Sequence, residues 1–532
     1  KTKFATSAEF FDKLKENLAD KQEPRWIGEL YLEFHRGTYT SIAKNKRNNR
    51  KAEFAMWRTE WLSSLAKSKC GKAYPKAELD KNLKTILTNQ FHDILPGSSI
   101  KEVYDKTDEE YKEVFDDLSA LENMAIDSIT NEISEKGIVV FNPNSYEGES
   151  TVVVDGVTAG VNGIPAKGYA VVRNIQTTNN ISACENELEN KFFRLKFDTD
   201  GNIVSLFDKR AERECVKEGG VCNKIIAYEN LPYEFDNWEL KRYYAEKPIT
   251  GMKLIGVTVV NDGVRRGLKI ERAFLSSKIE QIVWLYENMP RIDFDTEIDW
   301  HEHHIVLRSE SDTSIQSDFA TYEIQYGAVK RASNDNTSWD AAKFETCAHK
   351  YIDVSEYGYG ISLLNDCKYG HSVRNGKIGL TLLTCGTYPD PEADQGKHKF
   401  TYSLMPHSGD YRTADVIWQA YLLNNPLIAK KTDGKGNLPA TYSFINCDNR
   451  AIVIETVKES EDGKGLVIRA YESFGSRVTC AFVAGFAIGN IYETDLLENK
   501  QTRIEHGTND FSCEFKPYEI KTYYIETANG NE

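Results

Sequence analysis

The chain has 532 residues, 40% hydrophobic, 28% charged and 11% aromatic, with a formal net charge of −15. This length predicts several domains rather than one core, and the composition is that of a soluble globular protein. The acidic surplus argues against a nucleic-acid partner, and no apolar run approaches the ~20 residues of a membrane-spanning helix. The 10 cysteines are scattered and form no CxxC pair. That excludes a zinc ribbon and reads as reduced thiols in a cytoplasmic protein. No signal peptide is visible. The chain opens "KTKFATSAEFF" without an initiator Met, and so reads as a processed chain or a piece of a longer one.

Residues 1–136 read as helical. Phe54, Trp57, Trp61, Leu62 and Leu65 form an i, i+3, i+4 stripe. Leu79, Leu83, Ile86, Leu87 and Ile94 form a second, and Tyr111, Phe115, Leu118, Leu121, Ala125 and Ile129 a third. Three such stripes predict a three-helix bundle. Within this part "GELYLEFHRGTYTS", residues 28–41, has strand composition and gathers Glu29, Glu33, His35, Arg36 and Tyr39, with Gly37 permitting a tight turn. It reads either as a loop held by a buried Arg–Glu pair or as a substrate-facing loop.

"TNQFHDILPGSSI", residues 88–100, ends the second stripe. On an ideal helix over 79–94, His92 falls about 180° from the apolar centre and Asp93 about 80° from it. His92 is therefore expected to face water or another domain.

From "GIVVFNPNSYEGESTVVVDG" onward, short Val-, Ile-, Tyr- and Phe-rich runs alternate with Gly, Asn and Asp. Asp200-Gly201-Asn202 predicts a hairpin turn. The Gly-rich turns at 433–436 and 462–465 lack phosphate-loop spacing. No sustained βαβ alternation is present. The expected fold class is multidomain α + β, a three-helix bundle followed by antiparallel β-sandwiches. The expected divisions are 1–136, 137–230, 231–425 and 426–532.

"WHEHH", residues 300–304, lacks the HExxH spacing. On a strand His301 and His303 would share a face as a two-His metal grip, or simply be exposed strand residues. The loop "YPDPEADQGKH", 388–398, carries Asp390, Glu392 and Asp394. It reads as a paired-carboxylate acid–base site or as a Pro-rich acidic surface loop.

Several stretches resemble glycoside hydrolase family 38 α-mannosidases, in the branch with cytosolic and bacterial members. They include "ELYLEFHRGTYTS", "NQFHDILPGSSI", "VFNPNSY", "LPYEFDNWEL", "DWHEHHIVLR", "PDPEADQGKHKFTYSLMPHSGDY" and "KPYEIKT". The resemblance runs along nearly the whole chain. It implies a galactose-mutarotase-like large sandwich and retaining hydrolysis of terminal α-D-mannosides through a covalent mannosyl-enzyme. A divalent metal, zinc, would hold the sugar. His92 would be a metal ligand, and Asp93, His35, Arg36 and Asp236 would bind substrate. The family's nucleophile and other metal ligands lie in an N-terminal α/β domain, so this chain is expected to hold no catalytic nucleophile and to be inactive alone.

The expected partners are mannose-containing oligosaccharides, with a homo-oligomer allowed. An apolar face is expected beside His92. Relatives carry "LLRSP" where this chain has "LLTCGTYP", 382–389, so Thr384 stands at an Arg position. A hydrolase of other α-linked sugars is therefore an alternative reading. Another is a stand-alone β-sandwich assembly that binds carbohydrate or a partner.

Overall fold

The computed structural model describes residues 2–19, 21–23 and 25–528, in two compact units that divide between Glu33 and Phe34. In the first unit, helix α1 (Ser7–Leu18) starts at a capping box. Thr6 Oγ1 accepts from Glu9 N, and Thr6 N donates to the Glu9 carboxylate. None of the α1 side chains is buried. The three-helix bundle expected over 1–136 is formed within the second unit, by helices that begin at Ala43.

In the second unit, α2 (Ala43–Cys70), α3 (Lys76–Asn89) and α4 (Lys101–Asn131) form the three-helix bundle. Helix α2 is buried on several sides. Ala52, Ala55 and Met56 meet Leu79, Ile86, Tyr111, Val114 and Leu118 of the other two helices. Phe54 enters a second core around Val140, Trp418 and Tyr421. Trp61, Leu62 and Leu65 enter a third, among Ile454, Phe482 and Tyr523.

Among the described residues, a nine-stranded antiparallel sheet runs 253–262, 265–274, 277–286, 292–300, 396–408, 359–365, 351–356, 319–324 and 327–332. It faces a six-stranded sheet built around Ile305–Asp312 and Lys377–Leu383. Leu268, Val283 and Phe294 from the first meet Leu307 and Leu380 from the second in the largest core. Residues 182–214 form a five-stranded sheet whose Leu188, Phe193 and Leu206 join that same core. Strand Lys136–Asn142 instead pairs with Ile428–Asp433 and Gly168–Val172. The expected boundaries at 230/231 and 425/426 thus differ from the packing. The chain leaves the first β region and returns to it after the large sandwich. The C-terminal sandwich has three-stranded and five-stranded sheets spanning residues 445–527.

The Asp200-Gly201-Asn202 turn forms between strands Phe193–Phe197 and Ile203–Asp208. Gly201 takes φ +75, and Asp198 Oδ1 accepts from Asp200 N and Asn202 N. "WHEHH" differs from expectation. The strand ends at Trp300, and 301–304 is a connecting loop with His304 at φ 55. The shared strand face expected for His301 and His303 is therefore absent: His301 pairs with Asp299 at 3.1 Å, His303 Nδ1 lies 3.5 Å from Gln395 Nε2, and His304 turns toward Asp236.

His371 lies wholly buried, its Nδ1 2.8 Å from Tyr369 O and its Nε2 3.3 Å from Asn365 Nδ2. Burial, with the Tyr369 carbonyl pulling the other way and the charges of Arg50, Arg308 and Arg331 adding to it, pushes the imidazole down to about 3. In the unfolded chain it binds a proton below about 6.5, while the folded ring stays neutral down to about 3. Its contribution is therefore fully present above pH 6.5 and is lost as pH falls toward 3. Urea midpoints between pH 7 and pH 4 are expected to fall more for the wild type than for His371→Gln, which cannot titrate there. Equal slopes would refute this.

Candidate functional site

The polar start of α2, "AKNKRNNR", lies inside the molecule, where it fixes the segment that carries His92. Asn45 Nδ2 donates to Ile94 O at 3.2 Å and Lys46 Nζ to Leu95 O at 3.0 Å. Gln90 Nε2 donates to Asn49 Oδ1 at 3.0 Å and to Glu53 Oε1 at 2.9 Å. Burial pushes the Lys46 ammonium down to about 7 and raises the Glu53 carboxyl. The Ser98 and Ser99 hydroxyls close the turn onto Asp93 O, and Ser99 N donates to Tyr104 Oη. Gly97 takes φ +87, and a Cβ there would sit 2.4 Å from Ser41 O. Only glycine fits this approach.

The turn is thus locked from behind while its two functional candidates face outward. The side chains of His92 and Asp93 are 78% and 62% exposed, and His92 Nε2 lies 3.5 Å from Asp93 Oδ2. Their exposure agrees with the helical-phase expectation, but α3 ends at Asn89 and His92 sits on the following turn. The buried face of α3 is Leu79, Asn82, Ile86 and Asn89. Asn82 is tolerated there because its Nδ2 donates to Glu78 O. Leu83, Leu87 and Phe91 instead form an exposed apolar row, and the Phe91 ring stands 4.3 Å from that of His92.

Ser41 ties this turn to two further loops. Its Oγ donates to Asn237 O at 2.6 Å and lies 2.9 Å from Thr384 Oγ1. Thr384 is 1% exposed and faces inward against Ser41. Gly37 approaches the Trp238 backbone so closely that a Cβ would be 2.9 Å from its carbonyl oxygen.

His35 begins the Arg36–Tyr39 turn at φ 63, not a strand. Its Nδ1 lies 2.8 Å from Glu239 Oε1, and half of its side chain is exposed. Burial works against the Glu239 carboxylate, but donation from Lys241 and His35 outweighs it and holds the group below the usual range.

Two expected substrate contacts are placed otherwise. Arg36 is 5% exposed, donates to Ala342 O at 2.7 Å and stacks over Phe344. Asp236 is 7% exposed and accepts from Thr387 N and Tyr388 N, each at 2.8 Å. Both position loops, since their charged atoms are satisfied inside the protein. The loop at 235–239 instead shows an aromatic surface that sequence reading missed. Phe235, at φ 53, lies 5.4 Å from Trp238 and 5.7 Å from Tyr388, and Tyr233 is fully exposed. The run "YEFDNW" was the available signal.

The acidic loop has a structural role. Asp394 Oδ1 accepts from Ala43 N at 2.7 Å and Oδ2 from Ile42 N at 3.1 Å, capping α2 from 351 residues away. Asp390 is also buried, and that burial raises its carboxyl. Glu392 alone stays outside, near Lys101. Asp394→Ala leaves two buried N–H groups unpaired at the positive end of the helix and is expected to destabilise the protein by about 2 kcal/mol, with Asp394→Asn milder. Denaturant titration checks this, and a loss under about 0.5 kcal/mol would discard the capping role.

Among the described residues, no three His, Cys, Asp or Glu side chains converge to hold a metal ion. His92 offers one exposed imidazole, which suits one ligand of a site and not a whole one. No described helix is long and apolar enough to cross a membrane.

Three family models match consecutive parts of the chain. They are the alpha mannosidase middle domain over 33–129, the glycosyl hydrolases family 38 C-terminal domain over 188–392, and that family's C-terminal beta sandwich domain over 451–523. Alpha-mannosidase 2C1 of Homo sapiens is 34% identical over 93% of this chain and 50% of its own length. Alpha-mannosidase G of Dictyostelium discoideum is 31% identical over 98% of this chain and 54% of its own length. The chain thus spans about half the length of the curated relatives it matches. The crystal structure of an alpha-mannosidase from Enterococcus faecalis V583 superposes with a TM-score of 0.81 at 17% identity, over 97% of this chain and 72% of that one. At that identity the likeness shows the fold.

Proposed function

Since the chain belongs to glycosyl hydrolase family 38, we propose that it is the helical and β-sandwich portion of a cytoplasmic, metal-dependent, retaining α-mannosidase acting on terminal α-D-mannosides. The observation that carries this reading is the locked turn presenting His92 and Asp93 outward beside the exposed Leu83–Leu87–Phe91 row. A turn fixed by buried donors holds its exposed side chains ready for a ligand at little further entropic cost.

His92 would contribute one imidazole ligand to a divalent metal, zinc, whose other ligands come from outside the residues described here. When bound, such a metal supplies Lewis-acid binding of sugar hydroxyls. The Asp93 carboxylate accepts hydrogen bonds from adjacent hydroxyls of the mannoside and so orients the ring. His35, steadied by Glu239, borders the loop that carries the aromatic surface. Arg36 and Asp236 act through the backbone they hold.

The test is turnover of an aryl α-mannoside and an aryl α-glucoside by the full-length gene product, with and without chelator. Mannoside turnover that chelator abolishes, and that falls sharply in His92→Ala with unchanged folding, is the expected result. Glucoside preference would favour the reading raised by Thr384. Turnover indifferent to chelator and to His92→Ala would overturn the proposal.

A further inference from the structure

Three of the cysteines lie together at one end of the C-terminal sandwich, far in sequence from His92. In its three-stranded sheet, Ile445–Cys447 pairs with Val478–Ala484, which pairs with Asp510–Phe515. The register sets Cys480 directly opposite Cys513, and Cys447 opposite Phe482, two residues along the central strand. Strand alternation turns all three thiols to the inner face, with Phe482, Phe511 and Phe515. Cys480 Sγ lies 3.7 Å from Cys513 Sγ, and Cys447 is within hydrogen-bonding reach of Cys480. Cys480 is 2% exposed, while Cys447 and Cys513 are partly open to solvent.

Directly opposed residues of an antiparallel pair have Cβ atoms about 4.5–5.5 Å apart, and a disulfide needs about 3.5–4.5 Å. A small inward shift of two neighbouring strands therefore suffices. Cys447, Cys480 and Cys513 are free thiols in this structure.

We infer that Cys513 and Cys480 are a thiol-oxidation site, at which a low-molecular-weight disulfide converts the pair into a cross-strand disulfide. The partly exposed Cys513 thiolate attacks one sulfur of the small disulfide and expels the other half as a thiolate. A mixed disulfide remains on Cys513. Cys480 then gives its proton to solvent, attacks the Cys513 sulfur and expels the second half. Two protein thiols are oxidised and one small disulfide is reduced to two thiols.

The local chemistry favours this order. Donation from the Cys480 thiol, with burial opposing it, lowers the Cys513 thiol below the ordinary range, while contacts with Cys447 and Cys513 keep Cys480 protonated. The new bond would link residues 33 apart and enclose two strands of the opposite sheet, Ile488–Thr494 and Lys500–Arg503. It does not depend on the glycosidase reading.

The test is incubation of the native chain with oxidised glutathione, followed by alkylation and peptide mass mapping. The expected product joins the peptides bearing Cys480 and Cys513, removes two of the 10 thiols, raises the melting temperature and is reversed by dithiothreitol. Cys447→Ser should leave it intact and Cys513→Ser should abolish it. Mapping of the unsubstituted chain decides the question even if a variant misfolds. Glutathione retained on Cys513, linkage of Cys447 to Cys480 alone, or modification confined to the exposed Cys184 would each overturn the inference.

Discussion

Arg308→Met is expected to destabilise the large sandwich by about 3–5 kcal/mol, because it removes a buried guanidinium charge that sits directly against a buried carboxylate. Arg308 and Glu345 side chains are each 1% exposed, and NH1 lies 2.7 Å from Glu345 Oε2. The guanidinium also donates to Thr381 Oγ1 and, at 2.6 Å, to Ser372 Oγ. Gly379 makes this possible, since a Cβ there would be 2.3 Å from NH2. Methionine fills the volume but offers no donor, so the buried Glu345 carboxylate loses the Arg308 charge and its hydrogen bond and keeps the Thr381 hydroxyl. The double variant Arg308→Met/Glu345→Leu should recover much of the loss, as an apolar replacement of a whole buried pair often does. A urea-unfolding double-mutant cycle reads the coupling directly. A single-variant loss below about 1 kcal/mol would show that solvent reaches the pair. The same pair steadies the 342–345 segment that receives Arg36, so its loss should also loosen the turn at His35.

Gly97→Val is expected to cost about 3 kcal/mol or more, combining a positive φ with overpacking against a rigid neighbour. The nearest atoms to the added Cβ are Ser41 O, C and Cβ, at 2.4, 2.7 and 2.8 Å, none of which can swing away. Ser41 is itself held by Asn237 O, so the clash spreads to the 235–239 loop. Under the proposed function the displaced turn should also lower kcat sharply, since about 1 Å of misplacement can cost about a hundredfold in rate. Gly97→Ala should show the same pattern at smaller size. Full retention of both activity and urea midpoint in Gly97→Val would mean the turn is not held from behind.

Local periodicity made the helices and hairpins readable. The stripes of α2 and α4 and the Asp200-Gly201-Asn202 turn depend on neighbours within a few residues, and there sequence and structure agree. The outward direction of His92 was also legible, although α3 ends three residues before it.

Features set by distant partners were not legible. "AKNKRNNR" has the composition of a solvated helix face, yet Arg50 donates to Tyr369 and Asn424, and Lys51 pairs with Asp366. Nothing near residue 50 announces those partners. Arg36 and Asp236 show the same limit. Their types suit sugar recognition, but direction decides, and both turn inward to satisfy backbone groups. Leu83 and Leu87 fit a helical stripe yet lie outside, because Asn82 and Asn89 take the buried face.

Helix α2 supplies side chains to four separate hydrophobic cores, with Ala43 reaching that of the large sandwich. The family boundaries therefore mark how segments are inherited, not how they unfold. Melting the bundle would strip Trp61 from the C-terminal sandwich and Phe54 from the core beside it, so neither could survive as an autonomous foldon. Damage at any of these surfaces is transmitted along one rigid rod of 28 residues, which makes cooperativity in this part of the molecule a property of a single helix.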